Sequence, residues 1–425
     1  MAMERDTVRG SGSGRPSRGR VGIGVLVLAT TIAACSAAAS GTPAGATASL
    51  RASTAPTTPA SSALSSAGPS PASSRSASPT ASLTGTVPPV SSAPWTSLSV
   101  ERLVHAPVDP LAVVPWDGGV VAVGRAAADA PMQAWISRDG RTWALLPAAT
   151  LGLDDQEVTV LGGTACGPGV LLMTEDASGG ATVWSSQDGV TWSRATGFPW
   201  APGAGGYGTG LFAGGASGAV AVAGLGPSVA VTSDCRTWRT VPLPGPAATT
   251  VTAVAAFGDG SVAVGYTGTV GTSTVAPVAW WSEDGASWTS ASIAAMTGDG
   301  FIEVRAGPRG LIAVSTQPQD IPGRTTLWAS PDGRSWTRTT PGPLGVITSG
   351  EGQGGLSGIF LGDGSRLMTF GDDAAFWTSA DGVDWSALHL TGAASELDAE
   401  QPAPLLLRDG LFFGGSDTSW FAAGS

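Results

Sequence analysis

The chain has 425 residues and a formal net charge of −11, with 21 basic residues against 32 acidic ones. Every basic residue is Arg; Lys is absent, while Gly (62 copies) and Trp (16 copies) are abundant. This acidic balance argues against a general affinity for nucleic acid or for anionic lipid headgroups, and the length is enough for a large core.

Arg15, Arg18 and Arg20 form a basic N-terminal region, and 21–34 is an apolar run, short for a membrane span. The run ends in Ile32-Ala33-Ala34-Cys35, which resembles the lipobox of bacterial lipoprotein signal peptides. That resemblance implies cleavage before Cys35 and lipidation of the Cys itself. Residues 1–34 are therefore expected to be a signal peptide, and the mature chain to be extracytoplasmic, anchored to the bacterial cell membrane. An ordinary secretory signal and an uncleaved anchor are the other readings, and each also places the remainder outside the cytoplasm. Without 1–34, 16 Arg face 30 acids, a formal charge of −14. No second apolar run is long enough to span a bilayer.

Residues 36–94 are Ser, Ala, Pro, Thr and Gly almost throughout, with no aromatic residue before Trp95 and only Arg51 and Arg75 as charges. Such a stretch cannot bury enough apolar surface to offset its ordering entropy. The expectation is a disordered tether over 35–92, leading into a folded domain over 93–425.

The folded part is built on a repeat. Trp135-Ile-Ser137-Arg-Asp139-Gly140-Arg-Thr-Trp143 returns as Trp184-Ser-Ser186-Gln-Asp188-Gly189-Val-Thr-Trp192, and again over 280–288, 328–336 and 377–385. A degraded copy runs Ala230-Val-Thr232-Ser-Asp234-Cys235-Arg-Thr-Trp238. Each copy reads as strand, tight turn, strand. Gly supplies positive φ, Asp and Ser bond to nearby backbone N–H groups, and the Trp pair packs between sheets. Asp139, Asp188, Asp234, Asp284, Asp332 and Asp381 are thus expected to be structural turn residues.

Upstream of each copy lie two more strands joined by Asp-Gly or Gly-Asp-Gly, such as 110–114 and 120–124, or 251–257 and 261–265. The second Trp recurs at 143, 192, 238, 288, 336 and 385, and stepping back about 48 residues reaches Trp95. Trp420 stands where a first Trp belongs. The spacing predicts an all-β, seven-bladed β-propeller of four-stranded antiparallel blades, the seventh shared between the two termini. A split blade closes the ring and removes two exposed edges.

Ser-x-Asp-Gly-x-x-Trp is similar to the Asp-box (BNR repeat) of sialidases, other bacterial glycosidases and related propellers, one residue tighter than their usual spacing. The resemblance covers the hairpins of all complete repeats. It implies the propeller fold and a peripheral structural turn, away from any active site. Sialidase chemistry would need three Arg around a carboxylate, a Tyr nucleophile with a Glu partner, and an acidic Asp. Here there is no Arg-Ile-Pro, the only Tyr are Tyr207 and Tyr266, and several Arg lie in the turns; Arg305 is the best single inner-strand candidate. Paired carboxylates from different blades would serve another glycosidase mechanism.

His105 and His389 are the only His and have no Cys or His at ligand spacing, so no metal site and no Ser–His triad is expected, and no cofactor. Cys166 ends an inner strand and Cys235 replaces a turn Gly on the same face. They can pair if their Cα atoms come within about 7 Å. On the opposite, loop face the candidate ligand-binding residues are Trp200, Tyr207, Asp154, Asp155, Glu157, Asp372 and Asp373; the alternative for Trp200 is packing on a blade edge. The resulting expectation is a monomeric, non-catalytic module binding a carbohydrate or protein ligand, with a glycan-active hydrolase using loop-face carboxylates as the alternative.

Overall fold

In the computed structural model, the described residues are Trp95 and most of 97–424. Outside them lie 126–131, 152–158, 201–210, 317–322, 340–347, 350–355, 372–375, 394–403 and a few shorter stretches. The expected signal peptide and tether also fall outside the described residues. Contacts divide the chain into Met1–Arg75 and Ser76–Ser425, and only the second unit contains described residues.

The described elements are all strands. The first blade is Pro110–Trp116, Gly119–Arg125, Met132–Ser137 and Trp143–Leu145, antiparallel in chain order. The second is Thr159–Cys166, Gly169–Glu175, Ala181–Ser186 and Ser193–Arg194. The third is Phe212–Gly215, Gly218–Val222, Ser228–Thr232 and Arg239–Pro242. The fourth is Thr249–Phe257, Gly260–Thr267, Ala276–Ser282 and Thr289–Ser290. The fifth has Gly300–Ala306, Leu311–Thr316, Gly323–Ser330 and Ser335–Thr339, with the short Ser292–Ile293 and Thr348–Ser349 added. First strands of successive sheets neighbour one another and form the inner wall.

The remaining strands make one eight-stranded sheet. Its order is Leu356–Gly362, Leu367–Gly371, Phe376–Ser379, Trp385–Gly392, Ser97–Leu103, Ser419–Gly424, Gly410–Gly414 and Pro404–Leu407. The expectation of seven blades is therefore corrected: the strands form six sheets, and the protein is an all-β six-bladed propeller built from four-stranded antiparallel units. The reason is a rim contact. Ser97–Leu103 pairs antiparallel with Ser419–Gly424, and its other edge runs parallel to Trp385–Gly392, from Ser97↔His389 to Val100↔Gly392. What the Trp spacing reads as a sixth and a seventh unit is one continuous ladder, which leaves no unpaired edge between them.

The same device recurs on a smaller scale. Ser292–Ile293 leaves the fourth blade and runs parallel to Ser335–Trp336 of the fifth, and Thr196 bridges in parallel to Thr237 across the second and third. The backbones come close at these crossings. Gly392 has φ 72°, and a Cβ there would lie 2.5 Å from the Val100 carbonyl oxygen. Gly197 repeats this at φ 72° against the Trp238 carbonyl oxygen, which is why Thr-Gly closes both outer strands.

The core lies between sheets. Trp116, Ile136 and Val114 of the first blade pack with Val170, Leu172 and Trp184 of the second. Val120, Trp135 and Trp143 pack with Leu407, Phe412 and Phe421 of the sixth sheet, Trp143 and Phe412 edge to face at 5.5 Å. Inner strands carry a bulge near their start, between Pro110 and Ala112, Val160 and Gly162, Val251 and Ala253, and Phe301 and Glu303.

Candidate functional site

In the first turn the Ser137 hydroxyl accepts from Gly140 N at 2.9 Å and donates to Asp139. Asp139 Oδ1 accepts from Arg141 N and Thr142 N, each at 2.8 Å. The Trp143 indole N–H then donates to the Gly140 carbonyl at 2.9 Å. The same indole bond closes the turns at Trp192, Trp288, Trp336 and Trp385, and the other five turn Asp residues likewise accept two backbone N–H groups each. These bonds satisfy donors that a tight turn would otherwise leave to water.

They also set the carboxylates' titration. At Asp139, Asp188 and Asp381 burial is the largest single influence and pushes the pKa up, but the backbone N–H bonds and the Ser hydroxyl together outweigh it and the net shift is downward. Asp234 is lowered by the N–H groups of Thr237 and Arg236, and Asp284, by those of Ser287 and Ala286, to about 2 against an ordinary 3.8. A folded pKa below the unfolded one contributes stability that is complete above the unfolded value and is lost as pH falls through the folded one. Unfolding free energy, followed by urea titration, should therefore drop between pH 3.8 and about 2. Asp234→Asn with Asp284→Asn keeps an acceptor but removes both charges, and should flatten that drop; an equally steep profile would count against the assignment.

The third turn departs from this pattern. Cys235 sits at φ 60°, in the left-handed region where the other turns have Gly at 66° to 78°. Cys235 is disulfide-bonded to Cys166, with Cα atoms 5.8 Å apart. Trp238 is 4% exposed, and its indole N–H has no acceptor among the described residues. Its ring instead stacks on Phe212 at 5.4 Å and meets Phe198 edge-on at 5.1 Å.

Each turn faces the preceding sheet, and what fills that gap varies. A Cβ on Gly140 would meet Leu407 at 2.8 Å and Phe421 at 3.0 Å, and one on Gly189 would meet Trp116 at 2.6 Å and Ile136 at 2.8 Å. Gly333 faces Val262 at 2.5 Å, and Gly382 faces Ile312 at 3.2 Å. Between the second and third blades the filler is the disulfide: Cys166 ends its inner strand as Trp116 and Leu407 end theirs.

Between the third and fourth blades nothing among the described residues fills the gap. The inner strand there ends in Gly215, and no atom lies within 4 Å of a Cβ on Gly285 or on Gly215. The result is a cavity of about 440 Å³ at the turn face, floored by Gly214, Gly215, Val231 and Trp238 and rimmed by Asp234, Asp259, Glu283, Asp284 and Arg239. Asp259 has no partner among the described residues, while Glu283 pairs with Arg334. Neither the gap nor Asp259 and Glu283 figures among the residues expected from sequence. The available signal is that Gly215 and Ala286 stand where equivalent positions carry Trp116, Cys166 or Leu407, and Arg141 or Arg334.

Of the expected loop-face residues only Trp200 is described. It is half-buried, stacked on Phe198 at 6.3 Å, with its indole N–H donating to the Gly179 carbonyl at 3.0 Å. Tyr207, Asp154, Asp155, Glu157, Asp372 and Asp373 lie outside the described residues, as does Cys35. Arg305 is buried on the inner strand of the fifth blade, 2.8 Å from Glu303 and donating to the Val304 carbonyl. At the other end of that strand, the buried Asp299 accepts from Ser315 and Thr326 at 3.5 and 3.4 Å, and the Trp328 indole donates to Ser315. Among the described residues no group of three or more His, Cys, Asp or Glu could hold a metal ion, and no helix is long and apolar enough to cross a membrane.

A scan against descriptions of protein families finds no match, and neither does a search of curated proteins. Solved structures with a similar course include a virginiamycin B lyase from Staphylococcus aureus, a catalytically inactive variant with quinupristin, at 11% identity and a TM-score of 0.49, covering 77% of this chain and 99% of that one. YCF48 bound to a D1 peptide matches at 15% identity and TM-score 0.46, over 79% and 100% of the two chains. The BP39L lectin from Burkholderia pseudomallei matches at 14% identity and TM-score 0.39, over 69% and 84%.

Proposed function

We propose that this chain is a lipid-anchored, extracytoplasmic β-propeller that binds a protein or carbohydrate ligand without chemistry on it. The observation that carries the reading is the cavity between the third and fourth blades, whose volume of about 440 Å³ is within the range of ligand sites. Its two turn carboxylates, Asp234 and Asp284, are held ionised by backbone N–H groups. A glycoside hydrolase needs a carboxyl group kept protonated near neutral pH; these two are tuned the other way and suit binding. The anchoring half of the reading rests on the lipobox-like Ile32-Ala33-Ala34-Cys35, and the Asp-box likeness of the turns fits a rigid surface scaffold.

The second reading, a glycan-active hydrolase, is favoured by the buried Asp299 and the Glu303–Arg305 pair on the fifth blade. The test is a glycan array probed with the full chain, beside a hydrolysis assay on the same sugars. Binding without turnover is expected for a carbohydrate ligand, and silence in both for a protein ligand. Turnover that is lost in Asp299→Asn would overturn the non-catalytic reading.

A further inference from the structure

Two other gaps of this propeller show what such a space accepts. Arg141, the residue after its turn Gly, lays its guanidinium over the Phe421 ring at 4.7 Å and pairs with Glu101 of the sixth sheet. Arg334, the residue after its turn Gly, lies over the Trp281 ring at 4.0 Å and pairs with Glu283 of the fourth blade. In both cases a guanidinium from one blade's turn bridges to an aromatic and an acid of the blade before it. The gap between the third and fourth blades has Ala286 at that position, and Val231 where Phe421 and Trp281 stand.

This gap therefore lacks both its filler and the bridging turn Arg of those two gaps; Arg239 of the third blade is the one cation among its lining residues, against the carboxylates of Asp234, Asp259, Glu283 and Asp284. Asp259 has no partner among the described residues, and Asp234 and Asp284 keep their charge well below neutral pH. The planar guanidinium presents a fork of donors matched to carboxylates, and it is more weakly hydrated than an ammonium group. A chain with a net charge of −11 also draws cations toward such a cleft.

We infer that the cavity between the third and fourth blades receives an arginine side chain of a polypeptide partner, held by Asp259, Asp234 and Asp284. This rests on the binding-module reading and names its ligand chemistry. The guanidinium enters from the turn face, over the Gly215 end of the inner strand, in the place that Arg141 and Arg334 hold at their own gaps.

The experiment is calorimetric titration of the full chain with acetyl-Gly-Gly-Arg-Gly-Gly-amide and with its citrulline counterpart, which keeps the shape and loses the charge. The Arg peptide is expected to bind, the citrulline peptide about tenfold or more weaker, with affinity falling as salt rises. Ala286→Arg supplies the missing guanidinium in cis and should cost about tenfold or more in peptide affinity; Asp259→Asn should weaken binding by several-fold. Both positions are exposed, so both variants should fold like the parent. Equal binding of the two peptides, no binding of the Arg peptide, or an Ala286→Arg variant that binds as the parent does would overturn the assignment. A glycan or protein captured equally by parent and Ala286→Arg would end the cavity assignment alone and leave the broader binding reading in place.

Discussion

Gly189→Ala should cost about 2–5 kcal/mol of unfolding free energy, while Gly285→Ala, at the same position of another turn, should cost only about 1–2 kcal/mol. The two residues share their backbone state, φ 71° and φ 66°. An L-residue in that region pays for its Cβ near the following carbonyl oxygen, and both variants pay it equally. They differ in surroundings. The new methyl at 189 would lie 2.6 Å from Trp116 and 2.8 Å from Ile136, both buried, so the second blade must move off the first. The new methyl at 285 meets nothing within 4 Å. Denaturant titration of both variants reads the gap directly, because the backbone cost cancels in the difference. Equal losses would mean that the space beside Gly285 closes in solution.

The second large effect concerns the disulfide. Cys166→Ala with Cys235→Ala is expected to lose roughly 2–4 kcal/mol, because the bond crosslinks positions 69 residues apart and restricts the unfolded chain. Ala is a poor control at 235, where the backbone stands at φ 60°. Cys166→Ala with Cys235→Gly restores the residue type of the other turns and should recover about 1 kcal/mol. The same Gly should not recover the gap contact, since that comes from the sulfur pair and not from the turn. A Gly variant no more stable than the Ala variant would show that the turn's own bonds, Arg236 N and Thr237 N to Asp234, hold 235 in place unaided.

The repeat was readable because its chemistry is local. Ser, Asp and Gly of each turn bond to atoms within three residues, so their spacing alone predicts the hairpin. The Cys166–Cys235 pairing stayed open at the level of sequence, because hairpin ends on one face pair only if they come within reach, and the 5.8 Å between their Cα atoms is a property of the fold. The sheet count was not readable, because it depends on backbone pairing between His389-Leu-Thr-Gly392 and Ser97-Leu-Ser-Val100, and backbone pairing leaves no signature in side chains. Trp periodicity counts sequence units; hydrogen bonds across the rim decide how many sheets they make. The cavity was illegible for a different reason. It is made by small residues, Gly215 and Gly285 among them, and Gly215 is informative only when set against Trp116 or Leu407 at equivalent places. Trp200 illustrates a third limit: an aromatic in a Pro-rich loop reads equally as a ligand platform or as packing on a blade edge, and its contacts with Phe198 and the Gly179 carbonyl are visible only in the fold.

The strand Ser97–Leu103 is held on both edges, by six antiparallel partners in Ser419–Gly424 and four parallel ones in Trp385–Gly392. It is also the first strand after the N-terminal segment, and Trp95, just before it, lies beneath the Arg366 guanidinium at 3.8 Å. Tension arriving from the N-terminal side would act along this strand and load two ladders in shear together, instead of peeling one bond at a time from a free edge. The point where the chain enters the ring is therefore its mechanically reinforced seam. Force applied there should be resisted by the whole eight-stranded sheet, and an unzipping event should begin elsewhere, at the two-residue outer strands Ser193–Arg194 and Thr289–Ser290.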